Sequence, residues 1–555
     1  MSPSQSFLAA LSLAAALTLA APAGAQPTVE AAAGAARSAD NIKAHMTFLA
    51  SDLLQGREAG SVGFDIAANY VASQFAQLGL TPMGGAGSYF QKVPLVATRP
   101  MDEGRFVVTG KDGVARTLVF GDDVRLVGRP VGPSERRVTA PLVFVGYGVV
   151  APEQGRDDYK GLDVKGKIVV LLQGAPAGYQ TEERAYYANR DNKRAQAAAH
   201  GAVGVISICL PGEARCPKVG EAKRTWQSWS MTWRRADGTP NDVAPETPSL
   251  GMLGPEGADK LFVGAKKTLD EVAKAADKPK ADPPRFALVT TLDVTLHTES
   301  QDIVSENVAG LLEGSDPKLK DEVVVLSAHL DHIGVTPPVK GDSINNGALD
   351  NAAGVATTLE VARTFVESGQ RPRRSILFLT VTGEEKGLLG AQYFARNPTL
   401  GARPIVANVD LDMPILFYDF TDVIAFGSDR SGIGPAVRRA AGRMGVALSP
   451  DPMPEEGLFT RSDHFRFVEV GVPAVFLMTG FANGGEEKFR GFLAGCYHHP
   501  CDDLSQPIDY AAGAKFARLN YEITRELADG DTRPLWVKGD FFGTKFAPPT
   551  MIADH

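Results

Sequence analysis

Five short motifs in this chain carry residue types that bind divalent cations. In order they are Ala328-His329-Leu330-Asp331, Asp350-Asn351-Ala352-Ala353-Gly354, Gly383-Glu384-Glu385, Leu411-Asp412-Met413 and Tyr497-His498. The histidines His329 and His498, with the carboxylates Asp350, Glu385 and Asp412, are the inventory that two hard-to-borderline cations need. Glu384 adds a carboxylate directly beside that set. The combination points to metal-assisted hydrolysis. No single motif does so, because a lone His-x-Asp is usually a hydrogen-bonded structural pair and adjacent glutamates are usually a solvated helix face.

The elements that must position these residues strengthen the reading. Val323 to Ser327, Ser375 to Val381, Pro404 to Val409 and Ala474 to Met478 are almost continuously apolar, as strands buried on both faces of a parallel sheet are. Between the first two, Val355, Leu359, Ala362, Phe365 and Val366 form a stripe at helical spacing, with Gly369 as a stop. Strand, helix, strand predicts an open α/β sheet, in which sites gather beyond the carboxyl ends of the strands. His329, Glu384, Glu385 and Asp412 all fall there. The expected fold is a three-layer α/β/α domain with a mostly parallel central sheet.

With 555 residues, the chain has room for two or three domains, and 44% hydrophobic with 22% charged residues is an ordinary globular composition. A net charge of -8 argues against a nucleic-acid partner and gives no sign of attraction to anionic membranes. Residues 1–25 read as a signal peptide: Phe7 to Ala21 is apolar, and Ala23-Gly24-Ala25 has the small-x-small form of a cleavage site. No Lys or Arg precedes the apolar stretch, which departs from the usual pattern. Export to the periplasm or the extracellular space is the expectation, with no membrane span in the mature protein. The cysteines form two local couples, Cys209 with Cys216 and Cys496 with Cys501, and an even count in an exported chain predicts disulfides. A bridge at the second couple would stiffen the loop carrying His498.

Along the chain, Asn41 to Gly79 reads as helical, with Ile66, Tyr70, Val71, Phe75 and Leu78 on one face. From Val138 to Leu288 short strand-like runs punctuated by Gly, Pro and Asp predict a compact inserted module, and Lys274 to Pro284 reads as its exit linker. The expected domains are residues 38–137 and 295–530 for the main body, 138–288 for the insert, and 531–555 for a tail. Trp536, Phe541, Phe542 and Phe546 should pack that tail back on the body.

The ordered motifs resemble those of the co-catalytic dizinc exopeptidases that include bacterial leucyl aminopeptidases and glutamate carboxypeptidase II. The insert resembles a protease-associated (PA) domain, on Val145-Gly146-Tyr147-Gly148 and the run Asp158 to Val169. The resemblance implies two zinc ions, with His329 and Asp412 on one, Glu385 and His498 on the other, and Asp350 between them. It implies that Glu384 is the general base of a water held by the two ions, that Tyr497 steadies the oxyanion, and that Asp331 accepts a hydrogen bond from His329. It also implies a cis peptide at Asp350-Asn351. The family usually has Asn where this chain has Asp410; Asp410 and Asp412 share a strand face, and the Asp-Met pair favours Asp412 as ligand. Of the two adjacent histidines, the spacing from Tyr497 to Asp502 selects His498 over His499.

The activity this implies is removal of one residue from a free amino terminus of peptide substrates. A glutamate-carboxypeptidase-like enzyme is the alternative and would need cations for a substrate carboxylate; Arg461, Arg466 and Arg490 are candidates. Glutaminyl cyclases share the scaffold but typically use one zinc, and non-catalytic relatives have lost ligands. The complete set here disfavours both. Ser462-Asp463-His464 reads as structural or pocket-lining rather than a nucleophile system, since consecutive residues rarely reach triad geometry.

Overall fold

The computed structural model describes residues 29–126, 131–210, 223, 225–278 and 282–554. The leader at 1–25 and Cys216 lie outside the described residues. Four parallel strands form the middle of the central sheet, in the order Ala474–Thr479, Ile405–Leu411, Val323–His329 and Ser375–Val381. All but the first residue of Ile405–Leu411 are buried, which is why alternation is missing from their sequences. Antiparallel strands flank them: Asp422–Phe426 on one side, and on the other Phe286–Leu312 followed by Phe90–Pro100.

Helices cover both faces. Phe75 of the helix Val62–Gln77 packs over Gly310, and Phe365 of the helix Ala353–Glu367 lies 6.4 Å from the Phe378 ring. Asn307, on the alternate face of the strand that carries Gly310, instead donates to the Gly390 carbonyl of the helix Leu389–Arg396 at 2.9 Å. The result is three layers with a mixed, mostly parallel sheet in the middle.

The chain passes from Val323–His329 outward to Ser375–Val381 on one side, then returns to Ile405–Leu411 on the other. The strand ending in His329 is therefore the point where strand order reverses, and the carboxyl ends of its two neighbours splay around it to leave a crevice. The helix Ala353–Glu367 starts tight against this crevice. A Cβ on Gly354 would lie 2.5 Å from the Leu411 carbonyl oxygen, so only glycine allows the approach.

Three local expectations are revised. The stretch from Asn41 to Gly79 is two helices, Val29–Leu49 and Val62–Gln77, separated by the turn Asp52–Arg57. Ser51 and Ser61 cap the later two elements, and residues Gln55, Gly56 and Arg57 take positive φ, which stops a continuous helix. Phe64, Ala67, Ala68, Val71 and Phe75 face inward, whereas Ile66 is 42% exposed. The second body is also wider than 138–288: its core draws on residues from Phe106 to Leu296. Its sheet recruits Arg105–Thr109 and the first half of Phe286–Leu312, a strand long enough to run through both sheets. Lys274 closes the helix Leu269–Ala276 rather than opening a linker, and 279–281 lie outside the described residues.

In the tail, Trp536 is buried and donates its indole N–H to the Gly471 carbonyl at 2.9 Å. Phe542 packs edge-on against Phe465 of the main body and Tyr186 of the second body. These contacts tie the two bodies together through the last helix, Phe541–Phe546.

Candidate active site

Each motif delivers its side chain from the rim of the crevice. His329 ends its strand, and its Nε2 lies 3.1 Å from Asp412 Oδ1 and 3.2 Å from Asp350 Oδ1. On the other side, His498 Nε2 lies 3.3 Å from Asp350 Oδ2 and 3.2 Å from Glu385 Oε2. Asp350 thus turns one oxygen to each histidine. Among the described residues two groups of side chains lie close enough to hold an ion: His329, Asp350 and Asp412, and His332, Asp350 and Glu385. The peptide bond Asp350-Asn351 is cis.

Asp410 stands behind this constellation. Its carboxylate accepts from Ser327 Oγ at 2.5 Å and from Ser462 Oγ at 2.9 Å, while Ser462 also lies 2.7 Å from Asp412 Oδ2. Burial, opposed by the Ser327 bond and reinforced by the Asp412 charge, pushes Asp410 up to about 7. Asp412 alone of the two meets His329 and Asp350.

Asp331 does something other than expected. His329 Nδ1 lies 3.1 Å from the backbone carbonyl of Asp331, not from its carboxylate. The carboxylate crosses to the neighbouring strand end and accepts the backbone N–H groups of Glu384 at 3.0 Å and Glu385 at 3.3 Å. The chain turns off the sheet after His329, which brings the carbonyl back under the ring and sends the side chain sideways. Asp331 therefore fixes both the tautomer of His329 and the glutamate turn.

Three residues to which local pattern gave no role of their own complete the frame. Asp502 accepts from the backbone N–H of Leu349 at 2.9 Å and of Asp350 at 3.0 Å, and so holds the Asp350 loop. It follows the disulfide joining Cys496 to Cys501, which closes the loop carrying Tyr497 and His498. Cys209 is also disulfide-bonded. Arg57 is 1% exposed and spends its guanidinium on four backbone carbonyls: Leu330 at 3.0 Å, Asn346 at 2.5 Å, Gly347 at 3.1 Å, and Leu49. These belong to the turn after His329, the loop before Asp350 and the first helix. Burial lowers Arg57 to about 10, partly offset by Asp502, Asp331, Asp350 and Glu385, so it stays cationic at neutral pH. His332 is the third residue, fully buried beside Glu385.

Strain gathers at the same place. Arg57, Leu388, Met413 and His498 are non-glycine residues with φ between +45° and +61°. Such conformations cost about 1–3 kcal/mol each and persist where the surroundings impose them.

The electrostatics ask for cations. Asp331, Asp350, Asp410, Asp412, Asp463 and Asp502 are buried together, with Glu384 and Glu385 on the adjoining turn. Although burial opposes a charge on His498, Glu385 and Asp350 outweigh it and raise the ring to about 10. The carboxylates raise His329 in the same way against its burial. Glu385 Oε1 and both ring nitrogens of His332 are buried without an in-line hydrogen bond. Buried acids in excess, and imidazoles aimed at them, fit divalent ions of the zinc type.

Glu384 is pushed well above the ordinary carboxylate range by burial and by the charges of Glu385, Asp412 and Asp463, against His329. The Tyr497 ring lies 3.7 Å from that of His498, and burial followed by the charges of Asp350, Glu385 and Glu384 keeps its hydroxyl protonated. Arg461, Arg466 and Arg490 each pair with a nearby carboxylate, Glu456 at 3.2 Å, Glu469 at 3.0 Å and Glu486 at 2.9 Å.

Ser462, Asp463 and His464 do not form a relay. Ser462 Oγ engages Asp410 and Asp412, and the His464 ring stacks on Phe476 with its Nδ1 3.9 Å from Asp410. Burial lowers His464 from 6.5 to about 3. The unfolded chain therefore takes up a proton that the folded protein refuses, so this contribution to stability is complete above about pH 6.5 and is lost as the pH falls toward 3. The slope is about 1.4 kcal/mol per pH unit at most for one proton. Urea unfolding of His464→Gln across that window should show a pH dependence one proton shallower than wild type; equal slopes would refute the assignment.

The fold and this ligand constellation define an α/β metallohydrolase-type domain. Residues 307–524 match the model of peptidase family M28. A probable zinc metalloprotease of Pyricularia oryzae is 28% identical over 259 residues, covering 41% of this chain and 50% of its own length. Leupeptin-inactivating enzyme 1 of Streptomyces exfoliatus is 28% identical over 222 residues, 38% of this chain and 46% of its own. The chain thus spans about half the length of these curated relatives. Among solved structures, an aminopeptidase from Aneurinibacillus shares the fold with a TM-score of 0.53 at 20% identity, over 89% of this chain and 95% of its own.

Proposed function

We propose that this protein is a zinc-dependent aminopeptidase that hydrolyses the amino-terminal peptide bond of peptides. The observation that carries the reading is Asp350 turning one oxygen toward each of two histidine-carboxylate groups, with Glu384 on the turn beside them. In this reading His329 and Asp412 hold one zinc, His498 and Glu385 the other, and Asp350 both. Bound zinc supplies Lewis acidity and makes water acidic enough to act near neutral pH. Glu384 takes the proton from the attacking water and delivers it to the leaving amine, a double use that its raised proton affinity favours. Tyr497, held protonated, donates to the developing oxyanion. Asp331 sets the position of Glu384 through the backbone.

The second body reads as a PA-type module that shapes the pocket. A cavity of about 470 Å³ lies between it and the main body, lined by Arg190 and Arg194 on one side and, on the other, by Met231, whose strand pairs with Phe90–Pro100, and by Lys386 and Gly387, just past the glutamate pair. Among the described residues no helix is long and apolar enough to cross a membrane. With the leader-like start and the Cys496–Cys501 bridge, this supports an exported protein.

The polarity is tested by incubating the protein with zinc and Leu-Gly-Phe. Released leucine is expected. Released phenylalanine would move the protein to the carboxypeptidase alternative, and the local pairing of Arg461, Arg466 and Arg490 disfavours that outcome.

A further inference from the structure

His332 lies outside the ligand set the motifs define, yet it is built into the same centre. Its side chain is fully buried, and its Nδ1 lies 2.7 Å from Glu385 Oε1 and 4.0 Å from Asp350 Oδ2. The Glu385 oxygen it meets is the one turned away from His498, which faces Oε2 at 3.2 Å. The His332 and His498 rings stand edge to face, 5.9 Å between centroids, on either side of the same carboxylate.

The backbone makes room for this ring. Gly347, at φ +62°, sits where a Cβ would come within 2.6 Å of His332 Cγ and would also strike the Asp350 carbonyl. The His332 backbone N–H is held by the Arg57 carbonyl at 3.2 Å, so the ring is carried by the residue that braces the Asp350 loop. Among the described residues neither ring nitrogen has an in-line hydrogen-bond partner, and neither does Glu385 Oε1. At 2.7 Å two lone pairs would repel, so this close contact, bent outside hydrogen-bond geometry, calls for the proton on Nδ1.

We propose that His332 is a positioning residue for Glu385: it occupies Oε1 and leaves Oε2 as the single oxygen presented with His498 and Asp350. Without it, Glu385 is free to rotate about its terminal torsion and offer either oxygen. The inference rests on the two-zinc reading above. Outer-shell partners of metal ligands are worth roughly 10–100-fold in metal affinity, and the close contact of His332, 2.7 Å, is to the ligand of one ion, the shared Asp350 lying farther off at 4.0 Å. Its removal therefore weakens one ion and spares the other.

The test is stepwise zinc binding to metal-free protein, by equilibrium dialysis with metal content measured by mass spectrometry, for wild type, His332→Ala and His332→Asn. The Asn variant keeps an N–H donor near the position of Nδ1. Expected are two ions in wild type, a roughly 10–100-fold weaker affinity for one of them in His332→Ala with the other unchanged, and substantial recovery in His332→Asn. Equal affinities in wild type and His332→Ala would overturn the proposal, as would equal weakening of both ions, which marks a merely structural residue. Cobalt substitution separates a direct ligand: loss of a nitrogen donor from the visible spectrum of His332→Ala would overturn the positioning role. If wild-type protein binds no second ion, the two-zinc reading fails first, and the result is distinguishable because it needs no variant.

Discussion

Glu384→Gln is expected to bind zinc as wild type does and to lose turnover by roughly 10²–10⁴-fold, the range contributed by a positioned general base. The side chain keeps its size and loses its basicity, so the effect should fall on kcat with little change in KM. Zinc content should not move, because Glu384 belongs to neither side-chain group close enough to hold an ion and lies outside the proposed ligand set. The backbone N–H of Glu384 bonded to Asp331 is likewise untouched. Metal analysis together with steady-state kinetics on an unblocked peptide checks this. Turnover within a few-fold of wild type would remove Glu384 from the role of base.

Arg57→Met should be the most destabilising single change in the main body. The substitution preserves much of the buried volume but strips the donors from four backbone carbonyls, three of which lie in the turn after His329 and the loop before Asp350. A buried acceptor left without a donor costs about 1–3 kcal/mol. The Gly347 carbonyl keeps the Ala352 N–H at 3.1 Å, so the loss of the other three should lower stability by at least about 3 kcal/mol. The same change removes a buried cation from beside Asp502, Asp331, Asp350 and Glu385. Arg57→Lys should recover only part, because one ammonium cannot reproduce a planar fork of donors. Urea unfolding measures the loss; a cost under about 1 kcal/mol would show that the loops hold themselves.

Arg57 also marks the boundary between what could be read along the chain and what could not. The ligand motifs were legible because a parallel sheet writes its strands as apolar runs, and chemistry placed at their carboxyl ends appears as polar punctuation after each run. Val323–His329, Ser375–Val381 before Glu384, and Ile405–Leu411 before Asp412 follow this rule. The three-layer architecture follows from the same alternation of strand and helix.

Where residues are related by long-range contact, periodicity is silent. Arg57 reaches Leu330, Asn346 and Gly347 from a turn whose own sequence reads as part of a helix. Its partners are backbone carbonyls, which every residue has, so no side-chain pattern betrays them. Asp331 was visible as a second carboxylate near His329, but only the turn off the sheet sends its side chain to the glutamate amides and leaves its carbonyl to the imidazole. The extent of the second body was hidden because Phe286–Leu312 belongs to two sheets at once, and strand pairing is decided by partners distant in sequence. Alternation put Asp410 and Asp412 on one face and could not choose between them. Ser327 and Ser462 occupy Asp410, and Asp412 is left to face His329. Sequence alone thus determined the inventory of the candidate site and the layer it sits on, since both are local consequences of burial. The tertiary structure decided which groups brace that inventory, since bracing is done by hydrogen bonds between segments that only folding brings together.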